Sequence, residues 1–157
     1  MIAFVHHLCL ALLALLLVVA AVGDWRRFII PNRLCLAVAA LALPYWLSSG
    51  APLWPTLAWQ LLLAAAAFAA FAGLFALGVM GGGDVKLFAA LALWLPLGEF
   101  VGLLLISAVL GGFLTLALLA AHRARRKAGQ PEIPYGVAIA GGALLIIVQP
   151  IVNGFAG

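Results

Sequence analysis

Acidic residues are scarce in this 157-residue chain: Asp24, Asp84, Glu99 and Glu132 are all there are. Charged residues of both signs make up 8% and hydrophobic residues 68%, with a mean hydropathy of +1.31. So little polar surface cannot enclose a soluble core, which excludes an ordinary water-soluble domain. Cysteine is nearly as rare. Cys9 and Cys35 form no C-x-x-C pair and lie in apolar runs, so they read as buried thiols rather than a disulfide or metal site. The chain also lacks H-E-x-x-H, G-x-S-x-G and a cysteine–histidine pairing in a polar setting, the usual marks of zinc, serine and cysteine hydrolases. Its glycine-rich stretch, Gly81-Gly82-Gly83-Asp84-Val85-Lys86, follows no strand and lacks the G-x-x-x-x-G-K-[ST] spacing of a phosphate loop.

What the chain has instead is apolar runs long enough to cross a bilayer. A spanning helix takes about 20 apolar residues. The runs fall at about Ile2–Val22, Leu34–Leu47, Leu57–Val79, Val85–Leu97, Phe100–Ala121 and Tyr135–Val152. They predict an all-α integral membrane protein: one membrane-embedded domain over residues 1–157, with six transmembrane helices and short loops. Ala21-Val22-Gly23 resembles a signal-peptide cleavage site, but no Lys or Arg precedes the first apolar run and Arg26 and Arg27 follow it. That is the reverse of a signal peptide's charge order, so the run is read as a retained span.

The basic residues test this topology. Arg26, Arg27 and Arg33 lie between the first two runs, Lys86 at the join of the third and fourth, and Arg123, Arg125, Arg126 and Lys127 between the last two. With six spans all eight fall on one side, leaving Glu99 alone on the other. By the positive-inside rule both termini are then non-cytoplasmic. The net charge of +4 serves orientation and contact with anionic lipid, not nucleic acid. Trp46, Trp54 and Trp59 are expected in an interfacial aromatic belt, with His6, His7 and Tyr135 also interfacial.

Topology places Asp24 and Asp84 at one cytoplasmic rim, although sixty residues separate them. As a helix, Asp84 to Leu97 spans roughly 20 Å against a hydrocarbon core of about 30 Å. Asp84 is therefore expected below the lipid boundary, facing protein or a water-filled cavity. Two carboxylates in a poorly solvated site do not both ionise cheaply, so one holds a proton while the other is charged. Such a pair can hydrolyse an amide with no metal and no covalent intermediate. The three glycines are expected to turn the chain sharply and let backbone approach a partner helix or an extended substrate.

These residues carry a resemblance. Gly81-x-Gly83-Asp84 followed by Lys86 resembles the G-x-G-D motif of the type IV prepilin peptidases. Asp24 followed by Ile30-Pro31-Asn32 is similar to that family's first aspartate and its Ile-Pro-Asn element. Pro134-Tyr135-Gly136 is similar to its late Pro-Tyr-Gly segment. The resemblance implies an aspartic endopeptidase of the bacterial inner membrane, with its active site facing the cytoplasm. Its substrate would be a prepilin with a basic leader and a hydrophobic helix, cut after a Gly. Asp24 and Asp84 match the catalytic pair, and Gly81, Gly82, Gly83, Lys86, Pro31 and Asn32 form the supporting loops. No cofactor or metal is implied. Without the zinc-binding C-x-x-C pairs of larger members, the chain looks like the short, peptidase-only branch of Flp or tight-adherence pili, with no methyltransferase activity.

Other readings exist for the same residues. A small proton-coupled transporter or channel would also use intramembrane acids, though set deeper in the bilayer. Lys86 either tunes a nearby carboxylate or reaches to lipid headgroups. Glu132 reads as a solvated loop acid.

Overall fold

The computed structural model describes residues 2–50, 52–124 and 132–155, with side chains described for all of these except 53 and 150–155. Among the described residues are six helices and no strand: α1 (Ile2–Arg27), α2 (Asn32–Ser48), α3 (Leu53–Ala76), α4 (Gly82–Ala92), α5 (Leu97–Ala124) and α6 (Tyr135–Phe155). Ile2–Arg27, Trp54–Ala76 and Leu97–Ala124 are each long and apolar enough to cross a membrane. Tyr135–Gln149, within α6, is a shorter apolar stretch. With 11 residues, α4 is about 16 Å long and does not cross a 30 Å core by itself.

The reason α4 can be short is that it is wrapped by other helices. It packs on α2, α3 and α6, while α1 packs between α2 and α6, and α5 lies along α6. Val85, Leu87, Phe88, Ala90, Leu91 and Ala92 are all buried, so most of α4 faces other helices, with Lys86 and Ala89 on its open side. Phe88 stacks on Phe71 of α3 with ring centroids 4.9 Å apart and meets Phe100 of α5 edge-on at 6.5 Å. Cys9 and Cys35 are free, buried thiols, as expected.

Several boundaries differ from the expected ones. Helix α1 runs on through Asp24 to Arg27 instead of giving way to a loop after Val22, because between those residues only Gly23 weakens a helix. It stops at Phe28, whose φ of 52° is left-handed and whose N–H donates to the Asp24 carbonyl at 2.8 Å. Pro31 then caps α2. At the other end of the bundle, α4 stops at Ala92 and a turn through Leu93 and Trp94 leads to α5.

The turn out of α3 is not made by the three glycines. Gly78, with φ +72°, is the left-handed residue after α3; its N–H reaches Phe75 O at 2.9 Å and that of Val79 reaches Leu74 O at 3.0 Å. This is a Schellman motif, which glycine favours because a Cβ is disfavoured at that φ. Gly81 is instead the N-cap of α4 in an extended conformation, and Gly82 and Gly83 open the helix.

Two of the aromatic side chains expected at the interface have partners within the bundle. Trp46 is not a free belt residue: its indole N–H donates to Leu93 O at 2.7 Å, while Trp94 returns a bond to Val38 O at 2.9 Å. These reciprocal bonds tie α2 to the end of α4. Trp54 and Trp59 are largely exposed, as a belt requires. Nor is His6 simply interfacial; it stacks on Tyr45 at 4.6 Å, and Tyr45 leans on Trp94 at 4.9 Å. His7 is exposed, its Nδ1 2.6 Å from Ala3 O. Of the last basic cluster, His122 and Arg123 end α5, and Arg125, Arg126 and Lys127 lie outside the described residues.

Candidate active site

Asp24 sits in the last turn of α1 and Asp84 in the first turn of α4. Ile30, in the link after α1, packs against the starts of α4 and α6. Ile30 is 6% exposed and lies so close to α4 that a methyl group on Gly83 would fall 3.1 Å from its Cβ. The same side chain presses on α6, where a methyl group on Gly136 would fall 2.6 Å from Ile30 Cδ1 and 2.8 Å from Asp24 Oδ2. Glycine at 83 and at 136 is therefore what lets three helix ends converge on one isoleucine and one carboxylate. An added methyl at either position would displace Ile30, and at 136 the Asp24 carboxylate as well.

The two acids line one cleft of about 590 Å³. Its walls are apolar and come from every side: Phe28 after α1, Phe71 and Leu74 of α3, Phe88 of α4, Leu104 of α5, and Ile133 before α6. Val79, Met80 and Gly81 form its rim between α3 and α4. Asp24 is 5% exposed. Its carboxylate faces the backbone N–H groups of Gly136 and Val137 at the start of α6, a helix terminus that favours negative charge. Its Oδ2 is sealed from solvent without a fully formed hydrogen bond to the protein. A buried carboxylate oxygen in that state carries a large desolvation cost unless it holds a proton or meets a donor.

Asp84 is half-buried and lies within the electrostatic reach of Asp24. The Gly81 N–H faces its carboxylate, the return half of a capping box in which the third helical residue reaches back to the N-cap. A methyl group on Gly81 would lie 2.9 Å from Asp84 Oδ2. Gly82 in turn packs under the Phe75 ring at 3.3 Å by the same measure. Each of the three glycines thus serves a separate close approach.

The remaining sequence-derived candidates are not among the residues lining the cleft. Lys86 points to α2, where its ammonium donates to Asn32 Oδ1 at 2.7 Å; these two line a different depression with Cys35 and Ala89. Pro31 caps the helix that carries Asn32. Glu132 is exposed.

Tyr135 belongs to the cleft, contrary to its expected role as an interfacial anchor. Its ring lies on the backbone of α5 at Gly111, where a methyl group would be 2.8 Å from Cζ. Thr115, also on the cleft wall, is committed to Gly111 O at 2.6 Å. Neither Gly111 nor Tyr135 stands out from composition or periodicity. The one signal in the chain was the Pro134-Tyr135-Gly136 triplet, which marks a helix start but not what it faces.

The arrangement can hold an extended backbone beside two carboxylates in an apolar trough, with helix N-termini on both acids. Among the described residues no group of three or more His, Cys, Asp or Glu side chains could hold a metal. The model of the type IV leader peptidase family matches residues 11–116, a stretch that includes both aspartates and ends before α6. No curated protein and no solved structure matches the chain.

Proposed function

We propose, from the premise that this chain belongs to the type IV leader peptidase family, that it is an aspartic endopeptidase whose catalytic pair is Asp24 and Asp84. The observation that carries the proposal is their convergence: two acids sixty residues apart in the sequence line one cleft. In the reaction the ionised carboxylate takes a proton from water as that water attacks the peptide carbonyl. The protonated carboxyl donates to the carbonyl oxygen as charge develops there, and a proton then passes to the leaving amine. One proton is taken up and one given back, so the pair returns to its starting state with the amide cleaved.

The substrate is a prepilin of the Flp type. Its hydrophobic helix suits the apolar trough and brings the leader junction, after a Gly, to the acids at the cytoplasmic rim of the inner membrane. The basic leader is kept in the cytoplasm by the same charge asymmetry that orients the enzyme. No methylation of the new N-terminus is expected. The proton-relay reading is the weaker one, because both acids open into one cleft beside three helix ends rather than forming a file across the bundle.

The test is incubation of the purified protein, in detergent or vesicles, with Flp-type prepilins, followed by intact-mass measurement. Loss of a leader-sized fragment ending in Gly supports the proposal. An unchanged mass under conditions that keep the enzyme folded refutes it.

A further inference from the structure

Two adjacent glycines in the middle of α5 have opposite surroundings. A methyl group on Gly111 would run into the Tyr135 ring, 2.8 Å from Cζ and 3.0 Å from Cδ2, whereas one on Gly112 would meet nothing within 4 Å. Gly111 is buried and Gly112 exposed. In a membrane bundle small residues permit close helix approach, and the α5–α6 seam uses this again at Gly142, where a methyl group would be 3.0 Å from Ser107 Oγ. Gly111 differs from the rest of the seam in what it receives: the first side chain of α6, not its middle.

That first turn is the part of α6 that faces Asp24. Pro134 is buried, the Tyr135 N–H donates to Ile133 O at 2.9 Å, and the next residue, Gly136, abuts both Ile30 and the Asp24 carboxylate. The turn is gripped on one side by α1 and on the other by α5, and on α5 the grip is the tyrosine ring lying on a backbone without a side chain. We propose that Gly111 is a positioning residue for Asp24, acting through the Tyr135 ring seated on it, which fixes the first turn of α6 against the carboxylate. The seat is steric: it needs the ring and the missing Cβ, not the phenol.

The turnover arm of the test rests on the peptidase reading, and the exchange arm does not. Hydrogen exchange of the purified, folded protein is read over residues 132–140, together with kcat and KM on a prepilin. Gly111→Ala is expected to speed exchange at the Gly136 amide about tenfold and to lower kcat about tenfold, with KM within twofold. Gly112→Ala should leave both at the wild-type level. Tyr135→Phe, which keeps the ring, should keep the protection, and Tyr135→Ala should lose it. Combining Gly111→Ala with Tyr135→Ala should be no worse than either alone, since both remove one contact.

Slow exchange retained in Gly111→Ala overturns the proposal. So does equal damage from Gly112→Ala, which would mean that α5 tolerates no added methyl, and so does lost protection in Tyr135→Phe, which would mean the phenol holds the turn. If no variant cleaves a prepilin but the exchange pattern holds, the substrate assignment fails and the positioning role stands.

Discussion

Lys86 donates a 2.7 Å hydrogen bond from its ammonium to the amide oxygen of Asn32, pinning the second turn of α4 to the first turn of α2. The pair stands on the far side of α4 from the cleft that holds Asp24 and Asp84. That hydrogen bond ties the N-terminal part of α4 to the start of α2.

Loss of that pin should be small and shared. Because the bond is exposed, Asn32→Ala and Lys86→Met are each expected to cost about 1 kcal/mol or less. The double variant should cost no more than the worse single one, because the two side chains act through a single bond. Thermal unfolding of the four proteins measures this, and full additivity would show that the two residues act separately.

The glycines around Ile30 should rank by clearance. Gly136→Ala puts a methyl 2.6 Å from Ile30 Cδ1 and 2.8 Å from Asp24 Oδ2, while Gly83→Ala puts one 3.1 Å from Ile30 Cβ. Overpacking of this kind typically costs 1–3 kcal/mol. The Gly136 variant is expected to lose more stability and more peptidase activity than the Gly83 variant. Gly98→Ala, with nothing within 4 Å, should be neutral or slightly stabilising. Melting temperature and prepilin cleavage on the three variants give the order directly.

How far the sequence alone foretold this site depended on the kind of feature. The scarcity of acids and the spacing of the basic residues were enough to expect Asp24 and Asp84 together, and the two do line one cleft, because charge placement in a membrane is dictated by large solvation energies. Close approaches were not legible. Three consecutive glycines looked like a turn, yet the left-handed residue is Gly78 and the triplet serves contacts to Phe75, Ile30 and Asp84. Trp46 and Tyr135 matched the composition of an interfacial anchor, and only packing turns their polar and aromatic edges inward, onto Leu93 O and Gly111. Helix α4 was read as a span because its composition is largely that of one; its 11 residues are too few to cross by themselves, and most of its side chains pack on other helices.

The reciprocal indole bonds should matter for stability at the end of the bundle away from the acids. Trp94 is 3% exposed, and its N–H reaches Val38 O at 2.9 Å. Trp94→Phe leaves that site less well packed and removes the donor, at an expected cost of about 1–3 kcal/mol. Trp46→Phe, at a part-buried bond, should cost less. Thermal unfolding in detergent ranks the two, and an equal or reversed order would show that burial does not decide the cost.

The central claim is that Asp24 and Asp84 together activate water, and the most direct measurement is the cleavage rate of a prepilin by the Asp24→Asn and Asp84→Asn proteins, each matched to wild type in melting temperature. Removing an acid–base group should lower kcat by about 10²–10⁴-fold in each, and the double variant should fall little further because the two act as one unit. A folded single variant that still removes the leader at close to the wild-type rate would contradict the assignment of that aspartate and, with it, the shared mechanism.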